Sequence, residues 1–285
     1  MAQAQHHRPR SAQLRLLALC LVLVLGGSSR NLLSAPVLDP GDTARNCASA
    51  LGTLQPLPGA ELDTELEILS WNIQKAGNAG WAEDLANFAE GVHLAFIQEA
   101  SLQAGIESVL DSALYRSFAS GYSTAEVQTG VLTLSRAFPS LRCGLSHLEP
   151  WLKTPKATSV TEYPLRDRDD RLLAINLHAV NFSLGVENFQ AQIHALEDLL
   201  GQHEGPVVLA GDLNTWSERR QALVDEFLQG HGLNAVQFAP DLRTTAFGRA
   251  LDHIYVRGMD SDLAEVIPVT SSDHNPLRVR LRIQR

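Results

Sequence analysis

Six short apolar runs in this chain each finish in Asn, Asp, Glu or His, and that recurrence constrains the fold more than any other feature. The runs end at Asn72 (SWNIQKA), Glu99 (AFIQEA), His178 (INLHAVNF), Asp212 with Asn214 (LAGDLNTW), Asp252 (LDHIYVRG) and Asp273 with His274 (SSDHNPL). Short continuous apolar runs read as buried strands, and buried strands stack in packed sheets. Strand ends on one edge of such a stack converge. The polar groups are therefore expected to meet in one cleft.

Each run has an ordinary explanation when taken alone. Asn72 can cap a following helix, Glu99 can be a solvated loop acid, and His178 can be a core histidine with its hydrogen bonds made. Gly211-Asp212-x-Asn214 can be an Asx turn, and Asp252-His253 and Asp273-His274 can be surface turns. The sequence argues against all six holding together. Gathering this many carboxylates out of water is costly unless a cation compensates them. Oxygen-rich donors without a cysteine suit Mg²⁺ or Mn²⁺ rather than zinc.

Between these ends, strands and helices alternate. The run over 66–73 predicts a strand; Trp81, Leu85, Phe88 and Ala89 recur at helical spacing, with Gly91 as terminator; 92–97 is the next strand. Strand-like runs follow over 130–134, 141–148, 157–163 and 172–180. A second amphipathic helix is expected from Phe189 to Leu200, stopped by Gly201. A strand over 206–210 precedes a third helix beginning at Ser217. Leu277, Val279, Leu281 and Ile283 alternate with Arg278, Arg280 and Arg282, a last strand whose arginines form a solvated face.

Composition narrows the class. The 285 residues are 45% hydrophobic and 19% charged, with prolines and glycines scattered and no repeat, which favours one domain over 65–285. Four arginines and no acid fall in residues 1–35, leaving 19 basic against 32 acidic residues, a balance of −13, in the remainder. That disfavours a wide basic surface tracking nucleic-acid phosphates, without excluding DNA as a substrate, and it is compatible with a small phosphate ester held at one metal site. Arg8, Arg10 and Arg15 precede an apolar run over 16–25 and then Gly26-Gly27-Ser28-Ser29, the layout of an export segment. The run is short of the roughly 20 residues a comfortable membrane span needs. Residues 1–35 are read as an export signal or an N-terminal membrane anchor. This places the protein in the periplasm, outside the cell, or anchored to the inner membrane, and the sequence leaves the choice open. Residues 36–64, punctuated by Pro, Asp and Gly, read as an extended arm. Cys20 lies in the apolar run, so Cys47 and Cys143 remain, as a disulfide or as two buried thiols.

The series SWNIQKA, IQE, NLHAVNF, GDLNTW, LDHIYVRG and SSDHNPL, in this order and spacing, resembles the endonuclease/exonuclease/phosphatase (DNase I-like) superfamily over 65–283. WNI, HAVNFSLG, AFGR-x-LD and SDHNPL are similar to stretches of its bacterial YafD-like proteins. The resemblance implies an α/β (α+β) fold, a four-layer sandwich of two packed β-sheets flanked by helices with the site at one edge. It also implies a phosphohydrolase dependent on Mg²⁺ or Mn²⁺, cleaving phosphodiester bonds foremost, by in-line attack of an activated water. Carried over, Asn72, Glu99 and Asp273 form the metal group. Asp212 orients and deprotonates the water, and Asn214 holds that water or a phosphoryl oxygen. His274 binds the phosphate or acts as base, with Asp252 fixing its ring. His178 contacts the phosphate or protonates the leaving oxygen.

The chain also departs from the pattern. Gln74 is not the acid that abasic-site endonucleases carry there, no tyrosine aligns with their phosphate-binding Tyr, and the surface is acidic. Lys153 and Lys156, two of only three lysines, either contact an anionic substrate or are exposed strand ends, and the second reading is favoured. The substrate stays open among nucleic acid, phospholipid and small phosphoester, and the protein is expected to be a monomer. A non-catalytic exported binding or scaffold protein keeping the fold is the alternative, but none of the eight matched positions is lost.

Overall fold

The computed structural model describes residues 37–38, 43–57, 59–110, 114–183 and 185–284. The expectations for residues 1–35, including the export segment and Cys20, lie outside the described residues.

In chain order the elements are β1 (Val37–Leu38), α1 (Ala44–Ala50), β2 (Glu65–Asn72), α2 (Trp81–Ala89), β3 (Leu94–Ser101), α3 (Ile106–Val109), β4 (Tyr115–Ser123) and β5 (Gln128–Ser135). Next come β6 (Leu141–Leu148), β7 (Pro155–Pro164), β8 (Arg171–His178), α4 (Glu187–His194), α5 (Glu197–Gln202), β9 (Val207–Asp212) and α6 (Glu218–Gly230). The chain closes with β10 (Asn234–Ala235), β11 (Thr245–Ala246), β12 (Arg249–Ala250), β13 (Asp252–Arg257), β14 (Met259–Val266) and β15 (Leu277–Ile283). One sheet has the order β1-β6-β7-β8-β9-β13-β10 and the other β14-β15-β2-β3-β5-β4. Two pairs run parallel through helical crossovers, β2 with β3 by way of α2 and β8 with β9 by way of α4 and α5.

Side-chain alternation sorts the strands into layers. Leu66 and Ile68 of β2 pack between the sheets with Leu172 and Ala174 of β8 and Val208 and Ala210 of β9. On the opposite face of β2, Leu69 and Trp71 meet Leu85 of α2 and Ile106 of α3. Leu173, Ile175 and Leu177 of β8 meet Phe189 of α4, Leu199 of α5 and Val224 of α6. Helices thus cover the outer face of each sheet over its central strands, and the molecule is the expected four-layer α/β sandwich.

Several elements differ from the sequence reading for identifiable reasons. Strands β4 and β14 are sheet edges and carry no apolar run, so periodicity passes over them. The helix expected through Leu200 breaks at Ala195 and Leu196 into α4 and α5, and Gly201 lies inside α5 rather than ending a helix. The segment 36–64 is only partly extended. Thr43 caps α1 by accepting a hydrogen bond from the Asn46 backbone N–H, and Cys47 is fully buried. Cys47 is bridged to Cys143 of β6 with Cα atoms 6.1 Å apart, which pins α1 to the sandwich.

Candidate active site

The fold gathers the predicted groups, although Asp252 opens β13 instead of finishing a run, Glu99 lies inside β3, and Asp273 and His274 lie in the loop before β15. His178 on β8 is opposite Asp212 on β9, and Asp212 is opposite Asp252 on β13. From the other sheet, Asn72 ends β2 and pairs with Gln98 of β3, one residue before Glu99. Gly211 is required within β9 at this edge: its φ is +148°, and a Cβ there would lie 1.9 Å from the Leu177 carbonyl oxygen.

Asp212 is 3% exposed and held on both oxygens. Its Oδ2 accepts from Asn72 Nδ2 at 3.0 Å, a bond across the two sheets, and its Oδ1 accepts from the Asn214 backbone N–H at 3.0 Å. Asn214 adopts a left-handed φ of +47° and donates its Nδ2 to the Ala179 carbonyl at 3.0 Å. Burial and the neighbouring Asp252 charge raise the Asp212 pKa to about 6, against the pull of His274.

Asp252 and His274 form a tight pair, Oδ2 to Nδ1 at 2.7 Å, while His274 Nε2 faces Asp212 Oδ2 at 4.0 Å. Burial alone would lower the His274 pKa. The charge and hydrogen bond of Asp252, with Asp212 and Asp273 behind them, outweigh it and raise the value to about 10. The loop that carries His274 is laced to β2. Trp71 Nε1 donates to the His274 carbonyl at 2.9 Å, and Ser272 Oγ donates to the Asn72 carbonyl at 2.7 Å. His253 takes the other face of β13, with Nε2 2.7 Å from Thr215 Oγ1, so it is not the partner of this centre.

His178 Nε2 stands 3.5 Å from Asp212 Oδ2 and 3.9 Å from Glu99 Oε1. Burial first, then the Lys156, His274 and Lys75 charges, lower its pKa well below the usual histidine range. Glu99 sits at a bulge in β3, where the register with β5 shifts between Ile97 and Ala100, and has φ +51°. Its Oε2 contacts Lys75 Nζ at 2.8 Å. Asp273 is exposed. Its backbone carbonyl accepts from Thr244 Oγ1, and its side chain adds charge near His274 without joining the buried cluster.

Lys75 and Glu149 of this edge are not singled out by the sequence, which reads Lys156 foremost as an exposed strand end rather than a substrate contact. Lys75 lies within the SWNIQKA motif itself. Lys156, read as an exposed strand end, is half-buried with Nζ 2.9 Å from His178 Nε2. Glu149 is buried and follows the apolar end of β6, the same pattern that marked the other six positions. A pocket of about 330 Å³ opens here, lined by Lys75, Glu99, Lys156 and His178. A larger cavity of about 430 Å³, bordered by Phe118, Leu132 and Cys143, contains none of the matched residues.

A metal ion has two candidate seats. Donor atoms of Asp212, Asp252 and His274 all lie within 4.8 Å of one another. Two of those donors, however, are already joined in the Asp252–His274 hydrogen bond. The other seat is Glu99, a half-buried carboxylate whose Oε2 is paired with the Lys75 ammonium.

The α/β sandwich thus carries a buried carboxylate–histidine cluster at one edge of its sheets. The model of the Endonuclease/Exonuclease/phosphatase family matches residues 69–274, and the chain belongs to that family. A UPF0294 protein of Vibrio vulnificus is 41% identical over 224 residues, covering 77% of this chain and 78% of its own. Among solved structures, the mannosyl-6-phosphatase of Bacteroides thetaiotaomicron superposes with a TM-score of 0.59 at 16% identity, over 76% of this chain and 99% of that one. The endonuclease domain of TRAS1, a telomere-specific non-LTR retrotransposon, gives 0.52 at 18% identity, over 78% and 100%. At these identities the superpositions show the shared fold.

Proposed function

We propose that the protein is a phosphoester hydrolase that cleaves phosphodiester bonds by in-line attack of a water molecule, with Mg²⁺ or Mn²⁺ as cofactor. The observation that carries this reading is the buried Asp212 carboxylate facing a His274 ring that Asp252 fixes and charges. Asp212, oriented by Asn72 and the Asn214 N–H, takes the proton of the attacking water. His274, held by Asp252 in its protonated form, offers Nε2 as a fixed positive donor for the charge that develops on a phosphoryl oxygen. His178, neutral, approaches the same Asp212 Oδ2 that His274 faces, placed to contact the phosphoryl group or the leaving oxygen. Glu99 and Asn72 would hold the divalent ion, which supplies Lewis-acid stabilisation of the same charge.

The disulfide supports an oxidising compartment, so we place the protein outside the cytoplasm, exported by residues 1–35 and membrane-associated if that segment is retained. Among the described residues, no helix is long and apolar enough to cross a membrane. One chain supplies every residue of the centre, consistent with action as a monomer. The test is hydrolysis of plasmid DNA, RNA, sphingomyelin and bis(p-nitrophenyl) phosphate by the purified chain with Mg²⁺ or Mn²⁺, and again in EDTA. At least one substrate is cleaved, the chelator stops cleavage, and either ion restores it. Full activity in chelator, or restoration by Zn²⁺ alone, overturns the metal assignment. A chain inert on all four substrates counts against the hydrolase reading.

A further inference from the structure

Among the described residues, five large apolar side chains are more than half exposed: Leu148, Trp151, Leu152, Phe182 and Phe247. Singly, such residues are ordinary on a protein surface; gathered in one place they mark an interaction surface. All five are gathered at the edge where β8 ends in His178 and β9 in Asp212. Leu148 ends β6, Trp151 and Leu152 lie in the turn before β7, and Phe182 follows β8. Glu149 ties those two loops into one unit, accepting from the Asn181 and Phe182 backbone N–H groups at 2.8 and 3.3 Å and from Thr154 Oγ1 at 2.7 Å. Trp216, two residues after Asn214, continues the band. Its Nε1 donates to Asn181 Oδ1 at 3.0 Å, and its ring meets that of Phe247 edge-on with centres 6.1 Å apart.

Phe247 is the costly member of the band. It forms the tip of the β11–β12 hairpin with Gly248, at φ of +51° and +76°. A two-residue turn of that kind favours Asn or Asp before the glycine, because a bulky side chain is strained at positive φ. Phenylalanine is thus unfavourable here twice over, in its backbone and in a ring left 89% exposed to water. Such a residue is retained where it meets something outside the chain.

Charge points to the partner. Across 148–156, 181–183 and 245–250 the cations are Lys153, Lys156 and Arg249, the last 3.6 Å from Glu218, and the single acid, Glu149, is buried. Residues 36–285 as a whole carry −13. Apolar tips set among cations and cleared of exposed acid match a phospholipid surface, where acyl chains lie beneath a layer of phosphates. Trp151, 60% exposed and two residues from the exposed Lys153, is of the type that settles at a membrane–water boundary.

We propose that this rim docks the protein on a phospholipid bilayer, with Trp151 and Phe247 inserted below the headgroups and the Asp212–His274 centre turned toward the lipid phosphodiesters. The docking stands on the rim alone. Phospholipid as the substrate rests in addition on the phosphoesterase reading.

Trp151 supplies the reporter. The full chain is mixed with phosphatidylcholine vesicles whose acyl chains are brominated, and tryptophan emission is followed. The wild type is expected to be quenched. Trp151→Phe keeps an apolar tip but loses most of the quenching. Phe247→Asn keeps Trp151, places in the turn the residue it favours, and needs at least about tenfold more lipid for half-maximal quenching. Every protein compared contains the N-terminal apolar run, so a tether through that run cannot produce these differences. No quenching in the wild type, or quenching that both variants leave unchanged, overturns the docking surface. So does lipid-free self-association in light scattering that Phe247→Asn abolishes, because the rim would then join copies of this chain. Hydrolysis of unbrominated phosphatidylcholine vesicles and of soluble bis(p-nitrophenyl) phosphate separates the two readings. Phe247→Asn is expected to slow vesicle cleavage at least about tenfold and soluble cleavage by less than about threefold. Soluble cleavage without quenching removes the docking alone. Quenching without cleavage of either substrate keeps the docking and removes the hydrolase, and quenching with soluble cleavage only removes phospholipid as the substrate.

Discussion

At the residue scale, the pairing of Asp252 with His274 decides what the cluster can do. Left in a buried position without a carboxylate, the imidazole would be neutral and free to turn; the 2.7 Å bond to Asp252 fixes its ring and its charge. Asp252→Asn keeps the shape and removes the charge, so kcat should fall by about 10² or more, as it should for His274→Ala. The double variant should lose far less than the two losses combined, because both changes disable one unit. Kinetics on the four proteins of that cycle check this, and fully additive losses would show independent roles. Gly211 carries a second residue-scale expectation. A methyl group 1.9 Å from the Leu177 carbonyl oxygen has no room, so Gly211→Ala should destabilise by about 3 kcal/mol or more, read as a lower urea midpoint.

At the element scale, the loops after β8 and β9 are tied together by one buried arginine of α6. Arg220 donates to the carbonyls of Val180, Asn181 and Asn214 and to Ser183 Oγ, and it lies 4.5 Å from the ring centres of both Phe189 and Trp216. Those loops follow His178 and carry Asn214. Arg220→Met fills similar space but strands three carbonyls, so stability should fall by roughly 3 kcal/mol, and proteolysis should begin in residues 179–183 or 213–217. Uncut loops with an unchanged melting temperature would contradict that role. Arg220 also marks the limit of what the sequence revealed. Apolar runs ending in Asp or His were visible because strand burial and catalytic polarity are both local patterns. A helix arginine serving two distant loops has no local signature. The same holds for the bulge at Glu99 and for the buried Gln98–Asn176 bond of 2.8 Å between the sheets, which depend on pairing partners far along the chain. Lys156 was misread because a half-buried lysine and a solvated strand end look alike in sequence. Edge strands β4 and β14 escaped because exposed strands lose their apolar period.

At the scale of the whole molecule, the Cys47–Cys143 bridge closes a separation of 96 residues and joins α1 to β6. Reducing it should cost about 2–4 kcal/mol, seen as a lower melting temperature in dithiothreitol that Cys47→Ser with Cys143→Ser reproduces without reductant. Stability should also fall on both sides of neutrality. Burial first, and then Arg243, lower the His253 pKa to about 4. At His253, and at His178, whose pKa burial also lowers, the folded chain binds fewer protons than the unfolded one below the ordinary histidine value of about 6.5; together they outweigh the opposite contribution of the raised Asp212 carboxyl, and stability is lost as pH falls toward 4. His274 has the opposite sign. Its raised pKa contributes stability that is full below about 6.5 and lost as pH rises through about 10. Denaturant titrations of the metal-free chain across that range should trace a dome, whereas a monotonic curve would contradict the two assignments. The account stands most directly on Asp212 as the group that activates water. The decisive measurement is the initial rate of bis(p-nitrophenyl) phosphate hydrolysis with Mn²⁺ at neutral pH, for the full chain and for a folded Asp212→Asn variant. The account predicts turnover by the first and a loss of at least about 10²-fold in the second; equal rates would contradict it.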